Sequence, residues 1–120
     1  MNVEMTVGFA LEVAHSMNHY PEGHPNRRLH GHSYSCEACF RGPLNPETGM
    51  LLDYEDVKKQ LQELTAPYNY CVMEDHKELT ISSTENLAKV LFETLQKHYP
   101  EIHSIKISRP TLNMSVRYPV

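Results

Sequence analysis

The sequence predicts an α+β fold, an antiparallel sheet with two helices packed on one face. Stretches in which apolar and polar residues alternate lie towards both ends of the chain, and apolar residues at helical spacing lie in its middle. With 120 residues, 40% hydrophobic and 22% charged, the chain is long enough for one core and too short for two. We therefore expect a single domain over residues 1–120.

Two strands are expected first, at residues 6–14 and at about residues 30–41, because side chains in both stretches alternate with a period of two. Alternation in the second strand points one set of residues inward: Tyr34, Cys36, Ala38 and Phe40. It points another set outward: Ser33, Ser35, Glu37 and Arg41. A turn over residues 43–49 ends in glycine, and a short third strand is expected at residues 50–52.

Two amphipathic helices follow. Asp53 is placed to cap the first helix, and Pro67 ends it. Ser82 and Glu85 have the spacing of a capping box at the start of the second helix, which ends before Pro100. Each helix carries one apolar stripe, formed by Val57, Leu61 and Leu64 in the first and by Leu87, Ala88, Leu91 and Leu95 in the second.

The remaining segments return to the period of a strand. Ile105 and Ile107 alternate in a fourth strand, and residues 112–118 alternate in a fifth, with Pro110 between them. Residues 68–76 show no clear period and predict a short packed connection between the two helices.

Charge and cysteine content exclude several classes of function. A net charge of −4 without a basic patch argues against nucleic acid binding, and no apolar run is long enough to cross a membrane. The polar N-terminus does not resemble a signal peptide, so the cytoplasm is the expected location. The three cysteines are therefore expected to be reduced, and Cys36 and Cys39 should point to opposite faces of their strand.

Three histidines form the candidate site. His15 ends the inward face of the first strand, and His30 and His32 begin the inward face of the second. Three neutral imidazoles with an open fourth position are typical of catalytic zinc. The alternative is that no metal site exists, because His30 and His32 are simply exposed strand residues and His15 is unrelated to them. His19 and His24, in the loop between the strands, are spare ligands or solvated residues.

Four stretches carry a family resemblance: residues 9–15, 28–33, 49–54 and 83–88. Together they resemble the 6-pyruvoyl-tetrahydropterin synthase family, and most of all its bacterial branch, the 6-carboxytetrahydropterin synthases of queuosine biosynthesis. The resemblance implies a T-fold, in which subunits join their sheets into a trimeric barrel and two trimers stack as a hexamer. It also implies a lyase or cyclase acting on a small molecule, with catalytic Zn²⁺ held by His15, His30 and His32.

The chain departs from the family at the positions that act on the substrate. Asn26 stands where pterin-forming members carry a cysteine, four residues before the first histidine of the His-Gly-His motif. Asn69 and Tyr70 stand where they carry an Asp-His pair that moves protons. An amide cannot replace a thiolate as nucleophile or base, whereas a phenol can serve as a general acid or base. We therefore expect Tyr70 to move protons, Asn69 to position it, and Asn26 to donate or accept hydrogen bonds.

A fourth departure changes the expected substrate. Arg109 stands where family members carry a glutamate that grips the donor-rich edge of a pterin. A guanidinium faces such an edge with further donors, but binds a carboxylate, phosphate or enolate through two hydrogen bonds. Thr84 and Glu85, within the matching stretch 83–88, are the other expected substrate-binding residues, although Glu85 also fits the capping box.

Three functions follow from these residues. The first is a zinc enzyme of this family whose pocket takes an anionic carbonyl compound instead of a pterin. The second is a true 6-carboxy- or 6-pyruvoyl-tetrahydropterin synthase whose acid and base groups have moved to Tyr70, Cys71 or His24. The third is a zinc-binding homologue without catalysis. Three retained metal positions beside four changed substrate positions favour the first.

Overall fold

The computed structural model describes residues 1–120. Its order of elements is the expected one, except that the third strand follows the first helix instead of preceding it. The strands are β1 (Asn2–His15), β2 (His30–Pro43), β3 (Cys71–Val72), β4 (Ile102–Arg109) and β5 (Met114–Tyr118). The α-helices are α1 (Tyr54–Thr65) and α2 (Thr84–Gln96). The sheet has the order β3-β1-β2-β4-β5, and every neighbouring pair is antiparallel except β1 with β3. The α+β prediction is confirmed.

A long hairpin of β1 and β2 is the centre of the sheet. The strands pair without interruption from Asn2 opposite Pro43 to His15 opposite His30. The predicted alternation of β2 is confirmed, since Tyr34, Cys36, Ala38 and Phe40 are buried and Ser33, Ser35, Glu37 and Arg41 are exposed. Both strands extend beyond their predicted ends because pairing continues where the alternation of side chains has stopped.

The core lies between the sheet and the two helices. α2 packs against β4 and β5, and α1 packs against β1. The apolar stripes of both helices turn towards the sheet, with Leu61 and Leu91 fully buried. The opposite face of the hairpin is lined by small and polar residues, so only one face of the sheet is covered within the chain. No helix is both long and apolar enough to cross a membrane.

The helix caps agree with the sequence at α1 and differ at α2. The Asp53 carboxylate accepts hydrogen bonds from the backbone N–H groups of Glu55 and Asp56, at 2.9 and 3.2 Å. The cap of α2 is Ser83, whose hydroxyl accepts from the N–H of Asn86 at 3.1 Å. The predicted capping box from Ser82 is therefore wrong by one residue. Ser82 is buried instead, and its carbonyl contacts another part of the chain.

The cap of α1 gives a stability prediction. We expect Asp53→Ala to lower the free energy of unfolding by about 1 kcal/mol, because two N–H groups of the first turn lose their acceptor. Urea unfolding followed by circular dichroism measures the change. Gln62→Ala, at an exposed position within the same helix, is the control and should leave stability within about 0.5 kcal/mol of the wild type. Equal loss in both variants would contradict the capping role.

The predicted strand at residues 50–52 does not form. Leu51 and Leu52 lie in a bend and pack, half-buried, against the core. The Leu51 side chain lies over Gly42, where a Cβ atom would come within 2.8 Å of its Cδ1 atom. This segment therefore covers the hairpin instead of pairing with it. The third strand is β3, within the connection predicted at residues 68–76, and it pairs with Val13 and Ala14 of β1.

The predicted start of the fifth strand is also corrected. Leu112 belongs to a 3-10 turn, Pro110–Leu112, which ends at Asn113 in a left-handed conformation with φ of 52°. β5 begins at Met114, after this turn has reversed the chain direction. The expected interruption between the fourth and fifth strands at Pro110 is confirmed. It extends to Asn113, beyond the start of the fifth strand that the alternation predicted.

Candidate metal centre

His15, His30 and His32 come together at the end of the β1–β2 hairpin. His15 and His30 are paired across the strands, and His32 lies two residues further along the same face of β2. Their ring centroids are 4.5 to 4.9 Å apart. One nitrogen of each ring lies within 4.8 Å of the others, and the Nε2 atoms of His15 and His32 are 3.0 Å apart. The cluster could hold a metal ion.

Backbone carbonyls fix the orientation of two of the rings. The Nδ1 atom of His15 lies 2.6 Å from the Ser82 carbonyl oxygen, and that of His30 lies 2.6 Å from the Arg28 carbonyl oxygen. A carbonyl can only accept, so each Nδ1 carries the proton and each Nε2 presents its lone pair. Such outer partners are typical of metal-binding histidines. Tetrahedral zinc with nitrogen ligands needs nitrogen separations of about 3.3 Å, so these donors fit it with small rotations.

Burial favours the neutral form of His15 and His32, which is the form that binds metal. Burial lowers the pKa of His15, which is 2% exposed, and the Ser82 carbonyl and the negative charge of Glu74 oppose that shift. Burial also lowers the pKa of His32, to about 4, and the positive charge of Arg109 adds to the effect.

Arg109 lies near the cluster, at the end of β4. Its charge acts on both His15 and His32, and it shares with His32 a cavity of about 530 Å³. Its guanidinium forms neither a hydrogen bond nor a salt bridge within the chain. The cavity is also lined by Glu12 and by Ser33, whose hydroxyl donates to the Glu12 carboxylate at 2.6 Å. A guanidinium without a hydrogen-bonded partner therefore lies in the same cavity as His32.

Asn69 and Tyr70 lie on the other side of β1. The Asn69 side-chain oxygen accepts from the Glu12 backbone N–H at 2.9 Å, and the Tyr70 N–H donates to the Glu12 carbonyl at 2.6 Å. Tyr70 has a φ of 53°, and its side chain is 84% exposed. It lines a shallow groove together with His32 and Cys71. The structure thus holds the Tyr70 backbone firmly and leaves its phenol free of any partner.

The other expected substrate residues have local structural contacts. Asn26 closes the loop between β1 and β2, since its N–H donates to Nδ1 of His24 at 3.1 Å and its carbonyl accepts from Met17. Thr84 is buried, and its hydroxyl lies 3.1 Å from the Tyr34 hydroxyl. Glu85 is exposed in the first turn of α2 and lines a separate groove with Lys89 and Tyr118.

The spare histidines and the cysteines lie outside the cluster. His19 and His24 each pack against the ring of Tyr20, with centroids 4.5 and 4.3 Å apart. All three cysteines are free. The thiol of Cys71 donates to the Tyr68 carbonyl at 3.3 Å, and burial raises its pKa, so it is a poor nucleophile in this conformation.

Glu74, like Glu12, is a charged residue near the cluster that sequence reasoning missed. It lies in the 3-10 turn Met73–Asp75, directly after β3. Its Oε2 atom accepts from the Ser16 backbone N–H at 2.9 Å, and its Oε1 atom is buried without a hydrogen-bond partner. The only signal was an acidic residue within the aperiodic segment 68–76, and nothing in the sequence placed that segment beside β1.

Comparison with known proteins agrees with this geometry. The family model described as 6-pyruvoyl tetrahydropterin synthase matches residues 4–119. The 6-pyruvoyl tetrahydrobiopterin synthase of Poecilia reticulata is 34% identical over 80 residues, covering 59% of this chain and 51% of that protein. The human protein of the same name is 30% identical over 104 residues, covering 76% of this chain and 67% of that protein. The matched part is therefore about half to two thirds of these relatives.

A solved structure shows the same fold. The Caenorhabditis elegans 6-pyruvoyl tetrahydropterin synthase superposes with a TM-score of 0.87 at 22% identity, covering 100% of this chain and 96% of that one. This match confirms the T-fold of the single subunit, a five-stranded sheet with two helices. The family model, which spans nearly the whole sequence, identifies the chain: it belongs to the 6-pyruvoyl tetrahydropterin synthase family.

Proposed function

We propose that this protein is a zinc-dependent enzyme of the lyase or cyclase type, which acts on a small anionic carbonyl compound. The observation that carries the proposal is the unpaired guanidinium of Arg109 in the same cavity as His32. A cation without a partner beside neutral imidazoles favours a substrate that brings its own negative charge.

The three histidines are the proposed zinc ligands. One nitrogen of each ring converges on a common point, and the carbonyls of Ser82 and Arg28 hold the rings of His15 and His30 in the required tautomer. Zinc at such a site supplies a Lewis acid that polarises a carbonyl oxygen. The remaining roles belong to side chains of this chain.

Arg109 is placed to bind a carboxylate or phosphate of the substrate and so to fix its orientation. Tyr70 is the proposed proton carrier, because its phenol is exposed in the groove that also contains His32. Asn69 holds the Tyr70 backbone through its bond to Glu12. The substrate-binding roles of Asn26, Thr84 and Glu85 stay predictions.

Product analysis tests the proposal. Zinc-loaded protein is incubated with dihydroneopterin triphosphate, beside His30→Ala as the metal-deficient control, and products are separated by chromatography. The proposal expects bound zinc and no conversion of this compound. A parallel incubation with small keto and hydroxyketo acids should then show zinc-dependent turnover. Zinc-dependent formation of a carboxy- or pyruvoyl-tetrahydropterin would overturn the non-pterin substrate.

A true pterin synthase is the second candidate, and Glu12 is the observation that favours it. Its carboxylate lines the same cavity as His32 and Arg109. A carboxylate accepts paired hydrogen bonds from an amino group and a neighbouring ring N–H, as a pterin presents. The names of the human and Poecilia reticulata relatives also support this candidate. The same product analysis decides between the two.

Tyr70→Phe tests the proton carrier. We expect kcat on the substrate found by product analysis to fall roughly 10²- to 10⁴-fold, because the variant lacks the hydroxyl that transfers the proton. Melting temperature should not change, since the side chain is 84% exposed. Tyr54→Phe, another exposed tyrosine, is the matched control. An unchanged kcat in Tyr70→Phe would remove Tyr70 from the mechanism.

We further propose that the chain works as a homo-oligomer, a trimer or a stacked hexamer. Only Val13 and Ala14 of β1 pair with β3, so most of that edge of β1 has no strand beside it. β5 forms the opposite edge of the sheet. Two such edges can pair between copies. Analytical ultracentrifugation measures the assembly, and a monomer at micromolar concentration would contradict it.

A further inference from the structure

A half-buried carboxylate beside the metal centre has no function in the mechanism so far. β3 pairs in parallel with the end of β1 and thereby brings the next turn, Met73–Asp75, against the residue after His15. Glu74 in this turn accepts the Ser16 backbone N–H through Oε2, at 2.9 Å. The carboxylate is thus one residue away from a proposed ligand and holds its backbone.

The fold leaves half of this carboxylate uncompensated. The Oε1 atom is buried and has no hydrogen-bond partner. Neither salt bridge of the chain, Arg41 with Glu4 and His76 with Glu78, includes Glu74. A buried carboxylate oxygen without a hydrogen bond or counter-charge is destabilising, so an amide side chain here would suit the metal-free protein at least as well.

A cation at the histidine cluster would provide the missing counter-charge. Three neutral imidazoles contribute no negative charge, so a divalent ion held by them keeps both of its positive charges. Glu74 is close enough to His15 for its charge to act on the imidazole. Its carboxylate is not among the converging ligand atoms, which come from the three histidines alone. Glu74 can therefore act through position and charge, without coordination.

We propose that Glu74 is the positioning residue of the metal centre, which fixes the His15 backbone through Ser16 and raises the affinity for a divalent cation through its negative charge. This inference rests on the proposed metal centre. It assigns to the aperiodic segment after β3 a role in metal binding, although that segment provides no ligand.

Zinc titration of Glu74→Gln tests the role. Gln keeps an acceptor for the Ser16 N–H and removes the charge. Competition with a chromophoric chelator should show zinc binding weakened about tenfold relative to wild type, the size expected for an outer partner of a metal site. Asp75→Asn is the matched control, because it removes the same charge from the next residue, which is exposed. Its zinc affinity should equal that of the wild type.

Melting temperatures distinguish this role from a purely structural one. Metal-free Glu74→Gln should melt at or above the wild-type temperature, and the rise on adding zinc should be smaller than in the wild type. A lower metal-free melting temperature with unchanged zinc affinity would overturn the inference and leave Glu74 a structural residue. Failure of the wild type itself to bind zinc would overturn the metal centre as well, so the two failures are distinguishable.

Discussion

His30→Ala is expected to abolish the metal centre while preserving the fold. Loss of one of three ligands should weaken zinc binding by more than the roughly 100-fold that loss of an outer partner costs. Zinc-dependent turnover should fall by roughly 10³-fold or more, because polarisation by the metal is worth several kcal/mol. His30 is only half-buried, whereas His15 is 2% exposed, so alanine at position 30 creates the smaller cavity.

The measurement is zinc content after gel filtration, together with competition against a chelator. His19→Ala is the control, because this exposed loop histidine packs against Tyr20 and lies outside the cluster. It should keep full zinc occupancy and wild-type affinity. Stoichiometric zinc in His30→Ala would show that the three imidazoles are not the binding site.

Arg109→Ala is expected to remove most of the preference for anionic substrates. Truncating one partner of a hydrogen-bonded charge pair inside a cavity costs roughly 2–5 kcal/mol, so the affinity for a keto carboxylate should fall by roughly 30-fold or more. Pyruvate is a suitable probe, with its dissociation constant on the zinc-loaded protein measured by calorimetry. Arg109→Lys should recover part of the affinity, because lysine keeps the charge and loses the planar pair of donors.

Two further variants define what Arg109 does. Arg41→Ala is the matched control, since Arg41 pairs with Glu4 at 2.7 Å on the exposed face, and it should leave pyruvate binding unchanged. Arg109→Glu introduces the residue type that the family resemblance implies at this position, and it should abolish pyruvate binding while binding of a pterin increases. Equal pyruvate affinity in wild type and Arg109→Ala would show that Arg109 does not select the substrate.

The histidine cluster was predictable because the backbone dictates it. Side chains alternate strictly in a strand, so His15, His30 and His32 had to share a face once both strands were recognised. The layers of the fold were predictable for a similar reason, since the apolar stripes of the helices require a sheet to pack against. Arg109 came from a family resemblance, and the structure adds that its guanidinium has no partner.

The parts that sequence reasoning missed depend on long-range pairing. Residues 50–52 and Cys71–Val72 are both short apolar stretches. Only Cys71–Val72 lies beside the edge of β1, and it therefore becomes the strand. Ser82 and Ser83 are both suitable caps, and the bond from His15 to the Ser82 carbonyl decides between them. Glu74 lies near the site only because β3 pairs with β1, and the sequence did not predict that pairing.

The geometry of the cluster also links metal binding to the stability of the folded chain. His15 ends β1 and His30 begins β2, so an ion bound by both would close residues 16–29 into a loop. An ion that binds the folded form alone adds to its stability, by an amount that grows with the concentration of free ion. Removal of a bound ion would therefore lower the free energy of unfolding as well as empty the proposed metal centre.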